Sequence, residues 1–487
     1  MPDNSNFDAA PTIVWLRHDL RLDDNTALLA AHQAGHAIVC VYILDNTMYK
    51  SAQLGGAQKW WLHHALSRLR DDLQALGARL VLRSGDPLSV LQSVIEQTGA
   101  KTLLWNRYYS PHAMQRDSVI KAELRGAGVC AQSYDGHLLH EPSKVQTGSG
   151  GFYRVYTPFW KSVYAQAESM IRAPRNAPTT LNAYDGAIES ESLDDWKLLP
   201  TKPDWSGGIA DEWQPGEAGA KKRLSAFLDS AVESYGKARD LPAQPGTSKL
   251  SPHLAFGEIS PHRVWHEANK VKSVSDDRLV FLKELIWREF AYHLLVNVSD
   301  LSHANYNKQF DDFPWLEDDA ALAAWQKGQT GYPIVDAGMR QLYQTGWMHN
   351  RVRMIVGSFL VKHLLLDWRH GEAWFWDTLV DADPASNAAS WQWVAGSGAD
   401  AAPYFRIFNP ITQGEKFDAD GAYVKLFVPE LVNLDKKYIH KPWEAPLTEL
   451  KKAGITLGKT YPTPIVDHKK ARQRALDAYQ TMRGKAA

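Results

Sequence analysis

Up to about residue 140, short apolar runs alternate with stretches in which apolar residues recur every three or four positions. Thr12–Trp15, Ala37–Leu44, Leu80–Arg83, Thr102–Trp105 and Val129–Tyr134 are rich in β-branched and apolar residues, which predicts strands. The stretches Ala27–Gln33, Gln58–Leu76, Pro87–Thr98 and His112–Arg125 carry a helical period. Strand–helix alternation of this kind implies a doubly wound, parallel α/β sheet. From 141 to 216 the periodicity dissolves into Pro, Gly, Ser and Asn, which predicts a long connector. Beyond it the pattern is helical almost to the end: Ala218–Tyr235, Pro252–Ala268, Asp277–Val296, Pro333–Gln344, Trp347–Leu366, Gly371–Leu379 and Asp467–Met482. The expected organisation is an α/β domain over 1–140, a connector over 141–216 and a larger all-α domain over 217–487.

A chain of 487 residues is too long for one ordinary core, in keeping with two domains. The formal net charge is −1, so contact with nucleic acid has to come from a local basic patch. Two cysteines, Cys40 and Cys130, exclude a disulfide framework and a CxxC metal site and fit a reducing compartment. The polar amino terminus lacks the apolar core of a signal peptide, and the longest apolar run, Ile38–Leu44, is far short of a membrane span. A soluble, cytoplasmic protein is expected, with no membrane contact. There are 19 tryptophans, 15 of them at or after Trp160, which raises stacking on bases or a conjugated cofactor and electron relay as uses. No GxGxxG follows the first strand, so a dinucleotide site of that kind is not supported.

Four segments carry chemistry. In Gly246-Thr247-Ser248-Lys249-Leu250-Ser251-Pro252, Ser251 and Pro252 read as a helix start, with the cation of Lys249 ahead of its positive end, an arrangement that suits a diphosphate. Glu284, Trp287 and Arg288 are spaced i, i+3, i+4 and share one helical face. In Trp347-Met348-His349-Asn350-Arg351-Val352-Arg353-Met354, the residues Asn350, Arg353 and Met354 fall on one side, with Arg351 turned away. In the stretch Asp381 to Trp393, two acids and an amide, Asp381, Asp383 and Asn387, are placed to read the edge of a heterocycle. The DxD spacing also suits a divalent metal, but no further ligand lies nearby, so no metal is expected. Each segment alone is compatible with an ordinary capped helix, surface pair or core.

Together the four segments, with WLRHDLRLDDN at Trp15–Asn25, GWMHNRVRM, DADPASNAASWQW and PYFRIFNP, resemble the photolyase/cryptochrome family over essentially the whole chain. The pattern is nearest the bacterial cyclobutane-dimer photolyases and resembles the branch called class III. The resemblance implies a helical FAD-binding domain and light-driven splitting of cyclobutane pyrimidine dimers by an electron from photoexcited, reduced FAD. By position, Tyr235, Thr247, Ser248, Lys249, Leu250 and Ser251 match the segment holding the FAD phosphates and ribose. Arg288, Asn350, Arg353, Asp381, Asp383 and Asn387 match residues around the flavin and adenine, with an Arg353–Asp381 ion pair and Asn387 facing N5. Glu284, Trp287, Asn350, Met354 and Trp393 match the lesion pocket, with Glu284, Asn350, Met354 and Asn387 carrying the reaction, and Arg351 matches a contact to the damaged strand. Trp391, Trp368 and Trp315 match a three-tryptophan electron path.

The resemblance further implies a monomer acting on UV-damaged DNA in the bacterial cytosol. It implies an antenna pigment in the cleft between the domains, near Asn106-Arg107-Tyr108-Tyr109-Ser110. Methenyltetrahydrofolate is favoured there over 8-hydroxy-5-deazaflavin by the class III likeness. Cryptochrome receptors of plant type usually have Asp where Asn387 stands and lack the Glu284/Met354 pair. Enzymes for the (6-4) photoproduct place a His where Asn350 stands, and His349 lies on a different helical face.

Overall fold

A computed structural model describes residues 10–47, 53–272, 276–298, 300–400 and 405–485. The first nine residues, on which the signal-peptide reading mainly rests, lie outside the described residues. So do 401–404, which include the start of PYFRIFNP.

Five strands, β1 (Thr12–Leu16), β2 (Ile38–Leu44), β3 (Leu80–Ser84), β4 (Thr102–Asn106) and β5 (Cys130–Tyr134), form one parallel sheet in the order β3-β2-β1-β4-β5. Strand β1 is buried at every position because it lies between β2 and β4 and is covered on both faces. The intervening helices are α1 (Thr26–Ala34), α2 (Gly56–Ala75), α3 (Pro87–Thr98) and α4 (Pro111–Gly126). Their starts follow capping chemistry. Asn25, Asp86 and Ser110 each accept a backbone N–H of the first turn, and Pro87 and Pro111 occupy the first helical positions. The chain reverses direction along the sheet between β1 and β4, which opens a crevice at the carboxyl ends of the strands.

The stretch expected to be irregular contains a helix, α5 (Tyr156–Ala165), which buries Tyr156, Phe159 and Val163. Three long helices expected from periodicity are broken. Ala218–Tyr235 becomes α6 (Glu217–Asp229) and two short turns. Pro252–Ala268 divides into α7 (Ser251–Ala255) and α8 (Pro261–Lys270). The second break is at Gly257, with φ +66°, where a Cβ would lie 2.0 Å from the His18 carbonyl oxygen. Trp347–Leu366 starts as a helix only at Asn350 and passes into a π-turn at Phe359–His363. The other main helices are α9 (Asp277–Asn297), α10 (Pro333–Thr345), α11 (Asn350–Ser358), α12 (Trp368–Thr378), α13 (Pro384–Ala395) and α14 (His468–Lys485).

The segment Trp15–Asn25 ties the sheet to the helices. Arg21 donates to the carbonyls of Gly257 and Gly136, both at 2.8 Å, and Arg263 pairs with Asp23. Asp24 accepts from Arg172 and from the Ser260 hydroxyl, each at 2.5 Å. Across the same boundary Trp61 donates its indole N–H to Glu258, which also accepts from the Gly216 amide. Among the described residues, no helix is long and apolar enough to cross a membrane and no cluster of three His, Cys, Asp or Glu is placed to hold a metal ion.

Candidate active site

A cavity of ≈730 Å³ opens among the helices. Helix α9 contributes Glu284, Trp287 and Arg288, whose i, i+3, i+4 spacing puts them on one wall. Helix α11 contributes Asn350, Arg351, Arg353 and Met354. Because this helix begins at Asn350, its first turn borders the opening, so Arg351 lines the cavity with the other three instead of turning away. Asp381 and Asp383 enter from the turn before α13, and Asn387, Trp391 and Trp393 from α13 itself.

The charged groups are held in fixed pairs. Arg353 donates through Nη2 to both oxygens of Asp381, at 3.0 and 2.8 Å, and through Nε to the Met348 carbonyl at 2.7 Å. Ser251, another wall residue, donates to Asp381 Oδ2 at 2.6 Å. Asp383 caps α13 through Ala385 and Ser386 and accepts the Tyr292 hydroxyl at 2.5 Å. Arg288 donates to the His137 carbonyl and to its Nε2. Glu284 is ion-paired with Arg239, a wall residue that sequence reasoning missed. Burial still pushes the Glu284 carboxyl upward, against the pull of Arg239.

The amide of Asn387 has a fixed orientation. Its Nδ2 donates to the Glu372 carbonyl at 3.1 Å and to Glu372 Oε1 at 2.9 Å. A carbonyl only accepts, so the NH₂ points at α12 and Oδ1 is left as an acceptor for the cavity. Burial pushes the Glu372 carboxyl up to about 7, partly opposed by the bond from Asn387. Glu372 was also missed, since nothing local links it to Asn387.

Trp391 is buried in the cavity wall, and among the described residues its indole N–H has no acceptor. Trp391 and Trp368 share one hydrophobic cluster, and the half-buried Trp315 packs against its edge. Trp368 donates to Asn305 at 2.9 Å.

Five expected cofactor residues do not line the cavity. Tyr235 is packed edge-on against Phe227 and Phe281, and Leu250 is buried. Thr247 and Ser248 lie outside the wall, and the cation of Lys249 is paired with Glu212 at 2.7 Å, not free ahead of a helix. Ser251 is the first residue of α7 and makes no capping bond, because its hydroxyl is turned to Asp381. His349 is buried away from the cavity. Its Nδ1 accepts the Arg351 amide, and burial lowers the ring to about 4.

A second cavity, ≈820 Å³, fills the crevice at the carboxyl ends of the strands. Trp15 lies there with the guanidinium groups of Arg17 and Arg116 over its ring, and His18 is stacked on Tyr108 at 3.9 Å. Tyr108 and Ser110, from the loop expected to meet a pigment, are in its wall. Ala382 and Asp383 border both cavities, so a thin partition separates them.

Residues 12–179 match the family described as DNA photolyase, and residues 281–481 match the FAD binding domain of DNA photolyase. A deoxyribodipyrimidine photo-lyase of Agrobacterium fabrum is 58% identical over 97% of this chain and 98% of its own. A crystal structure of a bacterial class III photolyase from Agrobacterium tumefaciens superposes with a TM-score of 0.95 at 56% identity, covering 99% of this chain and 100% of that one. A Synechocystis cryptochrome superposes with a TM-score of 0.87 at 30% identity, over 97% of this chain and 100% of that one. On this cavity, this sheet and this degree of likeness, the chain belongs to the photolyase/cryptochrome family.

Proposed function

We propose that the chain is a light-driven deoxyribodipyrimidine photo-lyase that splits cyclobutane pyrimidine dimers in UV-damaged DNA. The observation that carries this reading is the convergence of Glu284, Trp287, Asn350, Met354 and Trp393 on the same cavity as Arg353, Asp381 and Asn387. FAD suits that cavity. Its volume is in the range of ligand sites, its polar groups include an oriented amide acceptor, and the Trp391 N–H has no partner among the described residues. When bound, the reduced flavin supplies a photoexcited electron to the dimer and takes it back after the ring opens.

The residues of this chain bind, orient and polarise. Asn387, with Oδ1 left as an acceptor, would meet the flavin ring system, and the Arg353–Asp381 pair would set a fixed dipole beside it. Arg288, Asn350 and Asp383 border the flavin and adenine. Ser251 would hold the ribose and phosphates from the wall, and Tyr235 and Thr247–Leu250 would have to act from outside it. An extruded dimer would be walled by Trp287 and Trp393, with Met354 filling between them and Glu284 and Asn350 hydrogen-bonding its polar edges. Arg351 contacts the damaged strand, and Trp391, Trp368 and Trp315 form the electron path to the surface. The crevice at the strand ends takes the antenna pigment, with methenyltetrahydrofolate favoured.

The test is illumination of the purified, reduced, flavin-loaded protein with an oligonucleotide containing a dimer. Restored base absorbance is expected. No restoration, with flavin bound and reduced, would refute the proposal. The absorption spectrum of the same sample identifies the pigment.

A further inference from the structure

The indole of Trp287 is 37% exposed, a costly state for so large an apolar ring, yet it is not free to turn. The phenol of Tyr156 lies face to face with it, with ring centroids 3.5 Å apart and an interplanar angle of 7°. Tyr156 is the first residue of α5, in the stretch between the sheet and the main helices, and is only 8% exposed. Its hydroxyl donates to the Lys283 carbonyl at 2.8 Å, and its amide N–H reaches Asp400, a cavity-wall residue, at 3.4 Å. Phe290 meets both stacked rings edge-on, each at 5.9 Å. Trp287 borders the cavity and Tyr156 does not, so the phenol covers one indole face and leaves the other to the cavity.

We propose that Tyr156 is a positioning residue for lesion recognition, holding the Trp287 ring in place before a flipped-out pyrimidine dimer arrives. This rests on the reading of the cavity as the lesion pocket. A face-to-face sandwich is not the arrangement two aromatic rings choose for themselves, so the surroundings impose it. The hydroxyl bond to α9, the helix that carries Trp287, and the edge of Phe290 supply that constraint. The dimer then adds a third layer to an ordered stack, and the Trp287 ring does not have to be immobilised on binding.

The test is dark equilibrium binding of the flavin-loaded protein to dimer-containing and undamaged oligonucleotides. Tyr156→Met keeps an apolar side chain but removes the ring. It is expected to weaken dimer binding roughly three- to tenfold, leaving undamaged DNA and the flavin spectrum unchanged. Tyr156→Phe, which loses only the hydroxyl bond, is expected to restore most of that affinity. Equal weakening on both DNAs, or none on either, overturns the proposal. Should Tyr156→Met not accumulate with flavin, fluorine NMR of the parent labelled with fluorotryptophan decides. A single, ring-current-shifted Trp287 line supports a pre-set indole, and several exchanging lines overturn it. Trp287→Ala separates the two readings. If it leaves dimer binding intact, the lesion pocket itself fails; if it weakens binding and Tyr156→Met does not, only Tyr156 loses its role.

Discussion

Gly371 is the fourth residue of α12, directly beneath Trp391. A Cβ built there would stand 2.1 Å from Cη2, 2.5 Å from Cζ3 and 2.6 Å from Cζ2 of the indole. Carbon contacts are comfortable at about 3.5–4.0 Å, so Gly371→Ala obliges the ring to retreat by roughly 1.5 Å. It has little room. The ring is 3% exposed, with Phe375 edge-on at 4.9 Å and Trp325 at 6.2 Å. Overpacking of this kind costs about 1–3 kcal/mol, against a gain of about 1 kcal/mol from replacing a helical glycine by alanine. The net expectation is destabilisation of up to about 2 kcal/mol, or several degrees in Tm. Two assays read the consequence: thermal unfolding followed by flavin release, and photoreduction of the bound flavin by an external donor without DNA. The variant should melt lower and photoreduce more slowly, since the displaced ring is the proposed first member of the electron path. A variant that melts higher than the parent and photoreduces at the same rate would show that helix propensity alone acts there, and would refute the placement of the ring.

Arg353→Met removes the partner of Asp381, whose side chain is 3% exposed, and among the described residues leaves it only the Ser251 hydroxyl. A loss of about 3 kcal/mol is expected in urea unfolding, with flavin lost on gel filtration; unchanged retention would mean the pair does not support the site. Burial lowers His18, His140, His262, His293 and His349 to about 4 and His363 to about 3. Unfolded histidines titrate near 6.5, so their contribution is full above that pH and is lost as pH falls toward 4, at about 2 kcal/mol each near pH 5. Glu289 and Glu372, raised by burial to about 8 and about 7, protonate in the folded state over the same range and offset part of that loss. The net expectation is a fall in stability between about pH 6 and 4, read as a lower urea midpoint by circular dichroism; an unchanged midpoint would refute the histidine shifts. Affinity for damaged DNA should fall as salt rises, and Arg351→Ala should reduce the slope of log affinity against log salt by about 1; an unchanged slope would remove Arg351 from phosphate contact.

The sheet was legible because its inner strands are buried apolar runs, and the strand ends fell within about a residue of the bonded registers. The helix starts were legible where Asn, Asp or Ser precedes a helix or Pro. Helix α5 escaped notice because its glycine-rich approach and Pro158 masked the spacing of Tyr156, Phe159 and Val163, which share a helical face. The end of α11 was illegible for another reason. Lys362 is fully buried and donates to the Ala395 carbonyl at 2.6 Å, a partner 33 residues away that no local pattern announces. The same limit separates the site residues. Glu284, Trp287 and Arg288 are readable as a face from spacing alone. Arg239 opposite Glu284, Glu372 behind Asn387 and Tyr156 behind Trp287 are pairings made by tertiary contact. Arg353 with Asp381 was expected only through family resemblance, since 28 residues separate them. Lys249 shows the converse error, a cation read as free because its partner, Glu212, lies 37 residues upstream.

The boundary between sheet and helices is built from charge where apolar packing would cost less. Arg172 with Asp24 and Arg263 with Asp23 are both largely buried, and Glu258 is sealed beside His253 and Trp61. Desolvation offsets most of what such pairs gain, so they are poor explanations of stability. They are better explanations of geometry, because a guanidinium fork meets a carboxylate in few orientations, whereas apolar faces slide. What that geometry fixes is the partition at Ala382 and Asp383, which borders the crevice on one side and the helical cavity on the other. Asp383 caps α13 with one oxygen and takes the Tyr292 hydroxyl with the other. A shift of the sheet against the helices would therefore be felt at the start of α13, the helix carrying Asn387, Trp391 and Trp393. None of the WLRHDLRLDDN segment lines the helical cavity, yet His18 meets His137, the partner of Arg288, and the buried ions at Asp23 and Asp24 tie the sheet to the helices that build the cavity.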